Sequence, residues 1–169
     1  PIRQLSPALQ SKGTYLFAPR TATNIRYNAA FGGAESNRVS ASDPQYVPSG
    51  AMIDYWLPAN SGSATLEILS SDGTLIRKLS SETAPRDSSR EVTPALGAQR
   101  LPKNAGLNRF VWNELYPGPW DSLANRRGGQ GPAAPPGTYT IRLSANGVTQ
   151  ARQLKLMADP RVTADGVTN

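Results

Sequence analysis

The sequence predicts an all-β chain: an antiparallel sandwich of about seven short strands, entered through an irregular N-terminal arm. Three observations lead there. Fifteen glycines and 15 prolines punctuate 169 residues, a density that favours turns and short strands over long helices. Apolar and polar residues alternate with a period of two in several runs, which turns one strand face to a core and the other to solvent. Asp72-Gly73 and Asn146-Gly147 stand between such runs, and these dipeptides readily adopt the positive φ of tight hairpin turns. No stretch carries a helical period of useful length; residues 6–11 allow at most a single turn.

Taken in order, residues 1–48 read as a linker or wrapping arm with one short strand. Its only apolar run, Tyr15-Leu16-Phe17-Ala18, stops at Pro19. Tyr15 and Phe17 are expected to pin the arm to the body. A Gly/Ser/Asn-rich stretch from Asn28 to Pro48 follows without sustained period. The sandwich is expected over residues 49–162 and a tail over 163–169. Its first strand is Ala51–Leu57, rich in large apolar residues and ended by Pro58. Residues 64–69 place Leu66 and Ile68 inward with Thr65 and Glu67 outward. After the Asp72-Gly73 turn, Thr74–Leu79 returns as the second hairpin strand. Ser80–Ala105 is a polar, proline-broken connection. Leu107–Leu115 is the next strand, with Phe110 and Trp112 on one face. A second long loop, Tyr116–Pro136, is rich in Gly and Pro. Thr138–Ala145 then alternates cleanly, with Tyr139, Ile141 and Leu143 inward, and Val148–Met157 closes the sheet after Asn146-Gly147.

The composition excludes several function classes. The chain has no Cys and no His, which removes disulfides, thiol nucleophiles, zinc sites of the usual ligand type and His-dependent triads. Its formal charge is +6, and 14 of its 18 basic residues are arginines. They are scattered rather than gathered in a stripe, a pattern of solubility rather than of nucleic-acid binding. Arg126-Arg127-Gly128-Gly129-Gln130-Gly131 is a single arginine-glycine segment and reads as a solvated loop. No run of about 18–20 apolar residues suggests a membrane span. The chain starts at Pro1 rather than Met, so it is expected to be a piece or processed product of something longer.

The strings PIRQLSPALQSKGTYLFAPR, GAMIDYWLP, ATLEILSSDGTLIRKLSS, GLNRFVWNELYPGP and GPAAPPGTYTIRLSANGVTQARQLKLMADPRV occur in this order. Together they resemble the C-terminal region of large bacterial proteins whose N-terminal part is a sortilin-like, BNR-repeat β-propeller. Such proteins are commonly labelled glycosidase-like from the propeller alone. The hairpin portion is also similar to the immunoglobulin-like domain of flagellar hook-capping proteins, a fibronectin-III-like sandwich. The resemblance implies an immunoglobulin/fibronectin-III-like fold and a β-propeller, of the same parent or another surface protein, as partner. It also implies a secreted, periplasmic or cell-surface location. The propeller repeats with their Asp-box pattern lie outside these 169 residues, so no propeller activity carries over. The expectation is a non-catalytic accessory module with no cofactor and no metal.

Individual residues divide between core and ligand readings. Trp112 at mid-strand is expected in the core. Tyr139, just after Pro136-Gly137 at a strand start, resembles a corner tyrosine whose hydroxyl bonds back to the backbone. Tyr116-Pro117-Gly118-Pro119-Trp120 sets two aromatics in a proline-stiffened loop. Tyr116 and Trp120, joined by Trp56, are therefore candidate ligand-binding residues for a carbohydrate-binding module acting on polysaccharide, since rigid aromatics bind at low entropic cost. The competing reading folds Tyr116 and Trp120 back over the sandwich edge or against a neighbouring domain. Glu114 and Asp121 flank this loop, but no motif supports an acid/base pair or a calcium site there. Among the other carboxylates, Asp72 belongs to its turn and Glu67 to a solvent face.

Overall fold

A computed structural model describes residue 4 and residues 13–24, 50–59, 61–82, 100–117 and 131–161. Among these, eight strands form two sheets and there is almost no helix. The strands are β1 (Tyr15–Leu16), β2 (Ala22–Thr23), β3 (Ala51–Leu57), β4 (Ala64–Leu69), β5 (Leu75–Ser80), β6 (Gly106–Trp112), β7 (Gly137–Ala145) and β8 (Val148–Met157). One sheet has the order β1-β3-β6 and the other β2-β8-β7-β4-β5.

The two hairpins fold as their turn residues dictate. Asn146 at φ 52° and Gly147 at φ 73° give both central positions the sign that a type I′ turn requires. The Asn146 amide also reaches sideways, donating to Ser61 Oγ at 3.0 Å and accepting from the Gly62 N–H at 3.2 Å. The β7–β8 ladder then runs unbroken from Ala145↔Val148 to Gly137↔Leu156. The β4–β5 hairpin closes through Gly73 at φ 85° and slips register between Ile68 and Leu69. That slip, a β-bulge, moves the returning strand to Leu75–Ser80 and turns Ile76 inward, where it is 4% exposed.

The arm enters both sheets. β1 pairs antiparallel with β3 (Tyr15↔Trp56, Leu16↔Tyr55). Pro19 has no N–H to extend a ladder, and past it the chain joins β8 as β2, in parallel register (Ala22↔Leu156). Among the described residues the arm thus supplies two short strands where one was expected, and one strand pair is parallel. Gln150 of β8 caps the open edge of β1: its Oε1 accepts from Leu16 N at 2.9 Å and its Nε2 donates to Thr14 O at 3.1 Å.

Both sheets feed one hydrophobic cluster. Leu16, Ile53, Tyr55, Leu57, Phe110 and Trp112 come from the three-stranded sheet; Leu66, Ile68, Ile141, Leu143, Leu154 and Leu156 come from the five-stranded one. Each such side chain contributes roughly 1.5–3 kcal/mol on leaving water. Two polar groups inside are satisfied locally. Tyr55 donates its hydroxyl to Pro102 O. Asn108, 3% exposed, accepts from Asn104 N at 2.9 Å and donates to the carbonyls of Asn104 and Gly106 at 2.7 and 3.0 Å. These bonds hold the segment that leads into β6.

β6 ends earlier than the alternation suggests, at Trp112 rather than Leu115. Glu114 lies at φ 58°, a left-handed turn that no continuing strand adopts. Beyond it the chain pairs anew: Leu115 bridges Ala133, Ala134 N donates to Glu114 O at 2.7 Å and Tyr116 N to Pro132 O at 2.9 Å.

Candidate functional site

Two regions stand out from an otherwise ordinary two-sheet body: a cleft at one end and the outer face of the smaller sheet.

The cleft is built where β6 leaves its sheet and β7 begins. Trp112, fully buried, donates its indole N–H to Leu115 O at 3.2 Å and meets Tyr139 edge-on at 5.3 Å. Tyr139 donates its hydroxyl to Pro135 O at 2.5 Å, the corner-tyrosine bond expected from its position. Burial, the neighbouring Tyr116 and the charge of Glu114 push the Tyr139 phenol up to about 12. Tyr116 is half-buried and packs against the core cluster. It also lines a half-open cleft of about 340 Å³ with Ile76, Pro135, Pro136 and Tyr139. The facing wall is the Ser70–Thr74 turn. There Asp72 accepts from Ser70 Oγ, from Thr74 N at 3.0 Å and from Thr74 Oγ1 at 2.9 Å. Those bonds, the Ser70 one foremost, hold its carboxyl down at about 2.

Of the expected aromatic trio, Trp56 and Tyr116 are associated with opposite ends of β6. Trp56 pairs with Leu107 at the start of β6, whereas Tyr116 follows the far end of that strand. From Leu107 to the end of β6 at Trp112 the strand runs five residues, roughly 17 Å at about 3.3 Å per residue. Trp120 and Asp121 lie outside the described residues, as does the Arg126–Gln130 segment. Glu114 is 4% exposed at the root of the corner. Among the described residues, no group of three or more Asp or Glu side chains is placed to hold a metal ion.

Trp56 belongs instead to the second region. On β3, Ile53, Tyr55 and Leu57 face the core, so Met52, Asp54 and Trp56 face outward. Their cross-strand partners are Val111, Arg109 and Leu107 on β6, with Tyr15 of β1 beyond Trp56. The row Tyr15–Trp56–Leu107 is apolar throughout, and Leu107 is 44% exposed. Phe17, whose N–H donates to Asp54 O at 3.1 Å, is 1% exposed yet stands apart from the intersheet cluster. Asp54 is 5% exposed and takes a forked pair of bonds from Arg109 at 2.7 and 3.2 Å. The outer face of the five-stranded sheet is the opposite in character. Lys78, Glu67 and Arg142 form a line of ion pairs across β5, β4 and β7 at 3.4 and 2.6 Å, continued by a Ser144–Thr149 bond at 2.9 Å. One sheet therefore shows water a charged ladder and the other an aromatic one.

The sequence reading missed Asp72, Thr74, Pro135 and Pro136 as cleft walls. Each was legible as a turn or loop residue. Their meeting is not, because it depends on the β4–β7 pairing that ends at Leu69↔Thr140.

No family model matches the chain, and no curated protein or solved structure is detectably similar to it. Among the described residues, no helix is long and apolar enough to cross a membrane.

Proposed function

We propose that the chain is a non-catalytic interaction module of a larger secreted or cell-surface bacterial protein, an immunoglobulin-like sandwich that packs beside a β-propeller and positions it. Two features support the immunoglobulin-like reading. The strand order β1-β3-β6 over β2-β8-β7-β4-β5 corresponds to the A-B-E and A′-G-F-C-C′ division of such domains, with the first strand shared between sheets. Tyr139 supplies a corner bond at the start of the penultimate strand. Trp112 departs from the pattern: it lies on β6, not on the strand that carries the core tryptophan of antibody domains.

The observation that carries the functional reading is the outer face of the β1-β3-β6 sheet. A solvated antiparallel sheet alternates apolar-in and polar-out; here the row Tyr15–Trp56–Leu107 breaks that pattern beside the Asp54–Arg109 pair. The aromatic row is the kind of surface a neighbouring domain covers. The β-propeller partner rests on the resemblance of the ordered sequence strings given above.

Sedimentation velocity on the isolated chain tests the reading. Self-association that rises with concentration, and that Leu107→Glu abolishes without lowering Tm, is the expected result. A chain that stays monomeric at every concentration, with Leu107→Glu indistinguishable from the parent, would remove the docking face.

A further inference from the structure

The cleft supports a binding function that is independent of the docking face. The β4–β7 ladder stops at Leu69↔Thr140. There the two strands part, one turning through residues 70–74 and the other entered from Pro135-Pro136. The notch between them is the 340 Å³ cleft, near the lower end of the roughly 300–1,000 Å³ of small-molecule sites.

Its walls are stiff for separate reasons. The two prolines have a fixed φ, and the Tyr139–Pro135 bond pins them to the core. The opposite turn is closed by Ser70 N to Thr74 O at 2.9 Å and Gly73 N to Ser70 O at 3.0 Å. Asp72 then sets the chemistry of that wall. It accepts the hydroxyl protons of Ser70 and Thr74. A hydroxyl whose proton is committed to a carboxylate offers a ligand only its lone pairs, and the charge strengthens them as acceptors. Tyr116 and the proline rings present apolar surface to the notch, with Ile76 and Thr138 also in the lining. Among the described residues, the lining holds no basic side chain, so nothing among them favours a phosphate, sulfate or carboxylate ligand. Both carboxylate oxygens of Asp72 already accept bonds within the turn.

An occupant matched to these walls has one apolar C–H face and hydroxyl donors around its edge. That is a pyranose ring. We propose that the cleft binds a neutral glycan, with one sugar ring against Tyr116 and its hydroxyls donating to Ser70 and Thr74.

Affinity electrophoresis of the full 169-residue chain in gels containing soluble starch, xylan, mixed-linkage β-glucan or galactomannan tests this, followed by titration calorimetry with the retarding polymer. Retardation by at least one polymer is expected, with a Kd unchanged by high salt. Tyr116→Ala should weaken binding at least about tenfold and Tyr116→Phe, which keeps the ring, by no more than about threefold. Thr74→Val should weaken it several-fold at unchanged Tm. If Tyr116→Ala fails to fold, Thr74→Val and Ser70→Ala decide in its place. No retardation by any of the four polymers overturns the proposal. So does binding that these variants leave intact, or binding that salt abolishes, which would assign it to scattered surface charge.

Discussion

Tyr139 donates its hydroxyl to the carbonyl of Pro135, four residues upstream, while its ring packs edge-on against Trp112. One side chain thereby ties the local corner to the intersheet core and fixes a wall of the cleft. Tyr139→Phe removes the bond and keeps the packing, which should lower stability by about 1 kcal/mol. Tyr139→Ala and Trp112→Ala also open cavities and should each cost about 3–5 kcal/mol. Urea denaturation separates the two effects. A Phe variant as unstable as the Ala variant would mean that the hydroxyl bond, not the packing, dominates.

The same corner makes the fold sensitive to alkali. Tyr139 titrates at about 12 in the folded chain against an ordinary value of 10.0, and burial raises Tyr55 as well. A raised phenol favours the fold while it is neutral. Its contribution is complete below pH 10 and is lost as pH climbs from 10 through 12. The urea midpoint should therefore fall across that window, and absorbance at 295 nm should show two late-titrating tyrosines. Tyr139→Phe should flatten part of the fall; an identical alkaline slope in the variant would exclude Tyr139 as its source.

Gly50 precedes β3 at φ 122°, and a Cβ there would stand 2.3 Å from the Trp112 carbonyl oxygen. That oxygen is backbone and cannot rotate away. Gly50→Ala should therefore cost more than the roughly 1–2 kcal/mol of an unfavourable positive φ alone. Gly147→Ala, with nothing within 4 Å of its Cβ, should show only that backbone cost. Equal losses in the two variants would contradict the close approach of Gly50 to β6.

Asp54 and Arg109 sit directly opposite on β3 and β6, joined by a forked bond on the outer face. The Arg109 side chain is 49% exposed, so water screens the pair. A double-mutant cycle with Asp54→Ala and Arg109→Ala should give a coupling near 1 kcal/mol. Strictly additive losses would show that the fork contributes nothing beyond packing.

Much of this fold is legible in the sequence because its hairpins are local. Asn146-Gly147 sets a type I′ turn, and the alternation from Thr138 then places Tyr139, Ile141 and Leu143 on the buried face. Asp72-Gly73 marks the turn between β4 and β5, where Gly73 alone takes a positive φ, apart from a bulge that no composition signal marks. The end of β6 was less legible: Val111-Trp112-Asn113-Glu114-Leu115 alternates plausibly, and only the left-handed backbone of Glu114 breaks it. The second arm strand was missed for a similar reason. Ala22-Thr23 is too short to show a period, and its pairing with β8 comes from 134 residues away.

The candidate sites divide along the same line. The sequence by itself determined the all-β class, the inward residues, the corner role of Tyr139 and the core role of Trp112, since each depends on a period of two or a turn within a few residues. Tertiary structure decided the rest. It sent Trp56 to an outer face and Tyr116 to a cleft at the far end of β6, and it set the Asp72 turn opposite Pro135-Pro136. Those placements follow from the order in which strands pair, which brings distant segments side by side, and no local pattern encodes a neighbour seventy residues away.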